Sequence, residues 1–295
     1  MFADTITALV SGLLAGCVYG LIALGIVLIY KTTKVFNLAQ GEMLLIGTWV
    51  TWTAITVTNL PLWLSLIIAV VFSIVLGMLA ERFILRPMLG QPLMSMIMIT
   101  IGIFSVLRGI SLYFWGGPLQ YFPPIFPVQD IQLGFLSIST QLLAAAVVAL
   151  LLVIVSYLYF KFTRGGLAMR ATAEDTVIAQ SLGINVKAAF ARSWAMSAIV
   201  ATFGGILLGS LMGIFFGLSD FAFKAFPVVM LGGFESIPGV LVAGPIMGIC
   251  EYLGATFLDP ISGGGIGDII PYVVMLIVLV VRPSGLFGYK TIERV

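Results

Sequence analysis

The chain has 295 residues, 61% of them hydrophobic and 9% charged, and its formal net charge is +2. Soluble domains carry roughly a quarter charged residues, so no soluble fold hides this much apolar surface and the bilayer is the solvent that fits. The small, dispersed positive charge makes no case for a nucleic-acid partner, and the absence of histidine excludes His-based proton relays, zinc sites and Ser–His catalysis.

A crossing needs about 20 mostly apolar residues. The first is expected over Ile6–Tyr30, ahead of Lys31 and Lys34. Met1 to Thr7 carries Asp4 and no basic residue, a poor signal-peptide start, so this first segment is read as a retained span. The uncharged stretch Met43–Ala80 holds two crossings split at Asn59-Leu60-Pro61, a turn signal, and Glu81, Arg82, Arg86 and Pro87 close the third. A fourth is expected over Leu93–Phe114. A connection follows, Gly116–Thr140, with Pro118, Pro123, Pro124 and Pro127. Gln141–Phe160 makes a fifth span, a charged loop runs to Arg192, and Ser193–Phe216 makes a sixth.

The last third is interrupted. Ala222–Gly239 reads as a broken crossing or a re-entrant half-helix, because its apolar run is short and ends in Gly232-Gly233-Phe234-Glu235-Ser236-Ile237-Pro238-Gly239. Such backbone survives at membrane depth only when buried in protein or lining a wet cavity. Val240–Leu258, a glycine-rich loop over Asp259–Asp268 and Ile269–Val281 complete the chain. The expected fold is all-α: a polytopic integral membrane protein of about 8–9 transmembrane segments, in a single membrane domain over 1–295. Cys17 and Cys250 lie in apolar runs and read as small core residues.

Lysine and arginine set orientation. With the first turn, the Glu81 region, the 161–192 loop and the C-terminus in the cytoplasm, that side holds Lys31, Lys34, Arg82, Arg86, Lys161, Arg164, Arg170, Lys187, Arg192, Arg282, Lys290 and Arg294. Arg108 and Lys224 alone are left over, and 116–140 becomes an outer loop without a basic residue. The N-terminus is then outside and the C-terminus inside.

Glycine recurs every four residues at Gly12, Gly16 and Gly20, at Gly205, Gly209, Gly213 and Gly217, and at Gly244 and Gly248. Residues four apart share a helix face, so each row is expected to let another helix approach closely. Glu42, Glu235 and Glu251 are hard to place against lipid, where a charge costs about 2.5–3.5 kcal/mol on insertion scales, and they are expected to face a cavity or a partner. Arg108, about two turns from its span's outer end, reads as a snorkelling side chain.

The cytoplasmic loop is the most informative stretch. Gly165-Gly166 permits a sharp start, Leu167 to Leu182 favours helix and Gly183 is a plausible stop. Leu167, Ala171, Val177, Ile178, Ser181 and Leu182 can share one side, with Arg170 and Glu174 off it. Such a helix either docks into another protein or lies at the membrane interface. Two enzyme signals weigh little. Gly265-Ile266-Gly267-Asp268 matches an intramembrane aspartyl protease signature, but no second aspartate sits on a neighbouring span. No lysine follows a glycine, so the phosphate-cradling Gly-Lys-Ser/Thr of an ATPase is absent and the chain is expected not to be an enzyme.

These residues together resemble the membrane subunits of ABC importers for branched-chain amino acids, of the Liv H type. Three motifs carry the resemblance: Tyr30 through Asn37-Leu38-Ala39-Gln40-Gly41-Glu42; Gly166-Leu167-Ala168-Met169-Arg170-Ala171 with Ala173-Glu174-Asp175 and Leu182-Gly183-Ile184-Asn185; and Leu231-Gly232-Gly233 with Ser236-Ile237-Pro238-Gly239 and Gly244. The ending Arg282-Pro283-Ser284-Gly285-Leu286-Phe287-Gly288 is similar too. The resemblance implies that Arg164, Gly165, Gly166, Met169, Arg170, Ala171, Glu174, Asp175, Gly183 and Asn185 form the contact with a cytoplasmic ATPase. It also implies that Asn37, Gln40, Gly41, Glu42, Gly232, Gly233, Ser236, Pro238 and Gly239 lie near the translocation path. Implied partners are a second permease subunit, two ATPase subunits that bind the ATP, an external solute-binding protein and the lipid of a bacterial plasma (inner) membrane, with no cofactor in this chain. Gln40 stands where many relatives have histidine, and Phe234-Glu235 where a smaller, uncharged pair is common. A urea or short-amide permease of the same superfamily therefore stays open beside the amino-acid reading, as does an ion-coupled carrier.

Overall fold

Residues 2–88, 91–116, 119–127, 129–133 and 136–288 are described in the computed structural model. Met1, Pro118, Lys290 and Arg294 lie outside the described residues. In chain order the helices are α1 (Phe2–Thr33), α2 (Gln40–Thr56), α3 (Leu62–Ala80), α4 (Leu93–Trp115), α5 (Thr140–Phe162), α6 (Arg164–Glu174), α7 (Thr176–Ser181), α8 (Val186–Met212), α9 (Phe221–Gly232), α10 (Ile237–Phe257), α11 (Asp259–Ser262) and α12 (Ile266–Val281). Among the described residues six helices are long and apolar enough to cross a bilayer: α1, α3 with its continuation to Met88, α4, α5, α8 and α10. Helices α2, α9 and α12 are shorter, at 17, 12 and 16 residues. The protein is thus a polytopic helical membrane protein. Its departure from pure helix is a hairpin of β1 (Asp130–Leu133) and β2 (Leu136–Ser139), antiparallel with Ile131 opposite Ile138.

Several boundaries differ from the sequence reading, each for a local reason. Helix α8 starts at Val186 rather than Ser193, because the Asn185 side chain accepts the Ala188 N–H at 3.0 Å and caps it. It stops at Met212: Gly213 takes φ +86°, open to glycine without strain, and Ile214 pairs with Gln120 through backbone bonds of 2.7 and 3.0 Å. Gly213 and Gly217 therefore do not continue one helix face with Gly205 and Gly209, and Gly217 lies in the 3-10 turn Phe216–Asp220. The third span does not stop at Glu81 but changes winding. Glu81–Leu85 is a π turn and Arg86–Met88 a 3-10 turn. Hydrogen bonding i→i+5 brings residues five apart to one side, and Arg86 grips the buried Glu81 carboxylate through Nε at 3.2 Å and Nη2 at 2.7 Å. The segment expected to break at Ala222–Gly239 does so: α9 ends at Gly232, and α10 already starts at Ile237 behind the Ser236 cap.

The residues form two compact units. One contains Met1–Val27, Phe126–Val153 and Phe223–Val295. Here the rows of α1 and α10 meet in antiparallel order. A Cβ built on Gly12 would stand 2.6 Å from the Gly248 carbonyl oxygen, Gly16 is packed against Gly244 in the same way, and Gly20 lies 3.1 Å from the Val240 carbonyl by that measure. Helix α12 sits against α10 through another small-residue contact, with Gly267 beside Ala255. Apolar lipid gives helices no hydrophobic reason to associate, so close backbone approach supplies the attraction instead.

The other unit contains Leu28–Ile125 and Ile154–Ala222. Its centre is α2, α3 and α8. A Cβ on Gly205 would lie 2.7 Å from the Leu44 carbonyl oxygen, one on Gly47 would lie 2.7 Å from the Thr202 Cβ, and one on Gly77 would meet the Trp194 carbonyl at 2.5 Å. Ser73 and Thr202 share a hydrogen bond of 2.7 Å. Along α3 the small residues Ser65, Ala69, Ser73, Gly77 and Ala80 are buried, whereas Trp63, Ile67, Val71 and Val75 are exposed. This is the reverse of a soluble helix, because lipid solvates the large side chains and only small ones let α8 close in.

Gly16→Leu forces the α1 and α10 backbones apart and is expected to cost about 3 kcal/mol as overpacking, whereas Val71→Ala on the exposed stripe changes stability by about 0.5 kcal/mol or less. Thermal unfolding of the detergent-purified variants measures both, and equal shifts would contradict this packing.

Candidate functional site

The α6–α7 pair is built from caps. Thr163 Oγ1 accepts the Gly166 N–H at 3.0 Å and starts α6, where a side chain on Gly166 would strike the Tyr159 and Phe160 carbonyls. Asp175 ends α6 and starts α7, its carboxylate accepting from Val177 and Ile178 at 2.7 and 2.9 Å. The single helix expected over Leu167–Leu182 is therefore two. Gly183, at φ +81°, closes α7 with its N–H on the Gln180 carbonyl, while Ile184 N–H reaches the Ala179 carbonyl. Gly166, Met169, Thr172 and Ala179 turn inward, and Arg170 donates through Nη2 to the Lys161 carbonyl at 3.0 Å. Arg164, Glu174, Asp175, Gly183 and Asn185 are exposed, and Gly165 and Ala171 half-buried. Leu167, Val177, Ile178 and Leu182 are left at 57, 74, 58 and 75% exposure. Beside them an open groove of 570 Å³ is lined by Thr176, Gln180, Ile184, Asn185, Val186, Lys187 and Phe190.

The start of α2 holds a second constellation. Asn37 Oδ1 accepts the Ala39 N–H at 3.1 Å, which turns the chain into the helix. Gln40 Oε1 receives Asn37 Nδ2 at 3.3 Å and Ser197 Oγ at 2.9 Å, and Gln40 Nε2 donates to the Ser197 carbonyl at 3.4 Å. Asn37, Gln40 and Glu42 are all fully buried. Gly41 lies against the Ser219 carbonyl, where any side chain would clash. Glu42 does not stand alone: Arg108 Nη1 donates to its Oε1 at 2.8 Å and to Ser219 Oγ at 2.6 Å. Ser219 in turn donates to the Phe216 carbonyl at 3.0 Å. The rings of Phe104 and Phe216 lie 5.9 and 5.8 Å from the guanidinium. Arg108 is therefore an anchored charge and not a snorkelling one. Its side chain is 29% exposed, and the second Glu42 oxygen, Oε2, is buried without a partner among the described residues.

A third constellation surrounds the broken segment. Lys224 on α9 donates through Nζ to Glu251 Oε1 on α10 and to Asp268 Oδ1 on α12, both at 2.7 Å, so one ammonium ties three helices. Glu251 Oε2, like that of Glu42, has no partner among the described residues. Gly232 and Gly239 touch across the α9–α10 turn, Gly233 takes φ +97°, and Ser236 Oγ accepts the Gly239 N–H at 3.0 Å with Pro238 in the first turn. The chain after α12 folds back onto this turn: Leu286 N–H donates to the Leu231 carbonyl at 2.7 Å, and Gly285, at φ +71°, passes close to the Met230 carbonyl. The protease-like Asp268 is thus the outer member of an ion triad, its side chain 67% exposed.

Sequence reasoning singled out Glu42 and Glu251 but missed their partners Arg108, Ser219, Lys224 and Asp268. The signal was available: Arg108 and Lys224 are the two basic residues that the loop-charge rule leaves over. A leftover cation and an unexplained acid at membrane depth imply each other. Lys224→Met leaves two facing carboxylates and is expected to cost about 3 kcal/mol, most of it recovered by adding Glu251→Gln. Unfolding of the two variants in detergent reads the difference, and equal stability would contradict the triad.

The description of the matching family model is "Branched-chain amino acid transport system / permease component", and the match covers residues 8–279. The high-affinity branched-chain amino acid transport system permease protein LivH of Salmonella typhimurium is 28% identical over 97% of this chain and 96% of its own. Permease protein BraD of Pseudomonas aeruginosa is 29% identical over 97% of each chain, and the probable LivH of Methanocaldococcus jannaschii 29% identical over 93% of this chain and 90% of its own. PsaBC from Streptococcus pneumoniae, solved in complex with Fab, aligns with a TM-score of 0.50 at 15% identity over 97% of this chain and 98% of that one, a likeness of fold alone. With nearly the whole sequence under one family model, the chain belongs to the branched-chain amino acid transport permease family.

Proposed function

We propose that this chain is the permease subunit of an ABC importer in the bacterial plasma (inner) membrane, carrying branched-chain or other small amino acids. Pairing with a sister permease forms the path, two cytoplasmic ATPases drive it, and an external solute-binding protein delivers the substrate. The N-terminus is outside and the C-terminus inside. The observation that carries this reading is the family match over residues 8–279, joined by an apolar patch on a helix pair in the most basic loop of the chain. A transport subunit without a phosphate-cradling loop must receive its work through a surface. The α6–α7 pair supplies one: its caps and its inward Met169 and Thr172 hold it rigid, and Val177, Ile178 and Leu182 point away from the protein into an ATPase cleft.

Within this reading the buried Asn37, Gln40, Gly41 and Glu42 back a wall of the path from behind, bonded to one another, to Ser197 and to Arg108. The Gly232–Gly239 turn is another candidate wall, where a helix end and a helix start offer carbonyls and N–H groups suited to a zwitterion. At 12 residues α9 rises about 18 Å, less than the roughly 30 Å hydrocarbon core, so the remaining depth is left to irregular backbone that must face protein or water.

Val177→Asp with Leu182→Asp is expected to leave membrane insertion and folding unchanged while ATP-driven amino-acid uptake falls at least tenfold and co-purification of the ATPase is lost. Uptake by reconstituted proteoliposomes and a pull-down measure the two effects. Unchanged uptake, or uptake by the lone chain driven by a proton or sodium gradient, would refute the importer reading.

A further inference from the structure

Arg108 has more donors than its partners use. A guanidinium carries five N–H groups in a planar fork, and among the described residues both hydrogen bonds of Arg108 leave from one nitrogen, Nη1. The opposite edge, Nε with Nη2, keeps the parallel pair of donors that fits a carboxylate in bidentate fashion. That edge is fixed in direction: Glu42 and Ser219 hold Nη1 from α2 and from the turn before α9, and the Phe104 and Phe216 rings flank the plane. It is also open. The Arg108 side chain is 29% exposed, and Ile101, Ser105 and Leu112 on one flank of its face of α4 are exposed, whereas Phe104 and Ser111 on the other flank are half-buried and buried. Lipid tails offer nothing to a guanidinium at this depth, so an open donor edge there belongs against water or a polar ligand.

We propose that the Nε–Nη2 edge of Arg108 receives the carboxylate of the transported amino acid, with Glu42 as the fixed counter-charge that aims it. This rests on the importer reading above. Glu42 has two effects. Its buried carboxylate makes the guanidinium affordable in the bilayer, and its charge lowers the hold of Arg108 on a second carboxylate, so that substrate is recognised without being trapped. Urea and short amides carry no carboxylate, which makes Arg108 a determinant of specificity for amino acids.

The test uses the complete transporter in nanodiscs, without the external binding protein. Binding of labelled L-leucine is measured in competition with L-leucinamide, which lacks the carboxylate, and with 4-methylpentanoate, which lacks the ammonium. Wild type is expected to be competed by 4-methylpentanoate and not by leucinamide. Arg108→Gln with Glu42→Gln keeps a neutral hydrogen-bonded pair and is expected to weaken leucine at least tenfold and abolish discrimination between the competitors. Arg108→Lys, which retains charge but loses the fork, weakens leucine about as much. Glu42→Gln alone strengthens carboxylate-dependent binding at least threefold, a change that a merely structural Arg108 would not produce. Leucine binding within twofold of wild type in the double variant overturns the proposal, as does equal loss of all three ligands. Dissociation of the permease pair in the double variant would make an acidic residue of the sister subunit the occupant of the edge and would also overturn it. A wild-type transporter that carries leucine yet shows no carboxylate-dependent binding sinks this proposal and leaves the importer reading standing. One that carries no amino acid, with ATPases and binding protein supplied, sinks the importer reading itself.

Discussion

Helices in lipid gain nothing by hiding apolar side chains from one another, so cohesion depends on how closely their backbones approach. In this protein that constraint is met by glycine. Gly12, Gly16 and Gly20 lay the α1 backbone on that of α10, with carbonyl oxygens of Gly244 and Gly248 where side chains would stand. Gly47, Gly77 and Gly205 do the same among α2, α3 and α8. Dispersion falls steeply with distance, so one added methyl group removes many favourable contacts at once. The outward Trp63, Ile67, Val71 and Val75 of α3 are the complement of this arrangement, since lipid is as good a neighbour for them as protein.

Against this apolar ground, charge is placed sparingly and in closed groups. Glu81 pairs with Arg86, Glu42 with Arg108, and Glu251 and Asp268 with Lys224. Each pair exploits a break in regular helix: a π turn for Glu81, the first turn of α2 for Glu42, and the short α9 for Lys224. In the 3-10 turn before α9 a backbone group is also fastened, the Phe216 carbonyl accepting from Ser219 Oγ at 3.0 Å.

Much of this was legible from residues alone. Long uncharged runs ended by lysine or arginine marked the spans, Asn59-Leu60-Pro61 marked the α2–α3 turn, and the glycine cluster after Leu231 marked the broken segment. What stayed hidden was long-range partnership. Nothing in the neighbourhood of Arg108 names Glu42, which lies 66 positions away, and the periodic glycines after Gly209 suggested a helix that a single positive φ at Gly213 ends. The division of the basic loop at Asp175 was hidden for another reason. Aspartate is tolerated within helices, and only its extended backbone there reveals that it caps the next one. The exposed apolar side of that loop was legible, because sequence spacing and helical geometry agree over short distances.

The backbone bond from Leu286 to Leu231 couples the order of biosynthesis to the order of folding. A ribosome releases α9 long before it releases Leu286, so during that interval the last carbonyls of α9 lack this donor. Until then that carbonyl is left to water or to another donor. The end of α9 thus gains this contact late in synthesis, after α10 and α12 have been made.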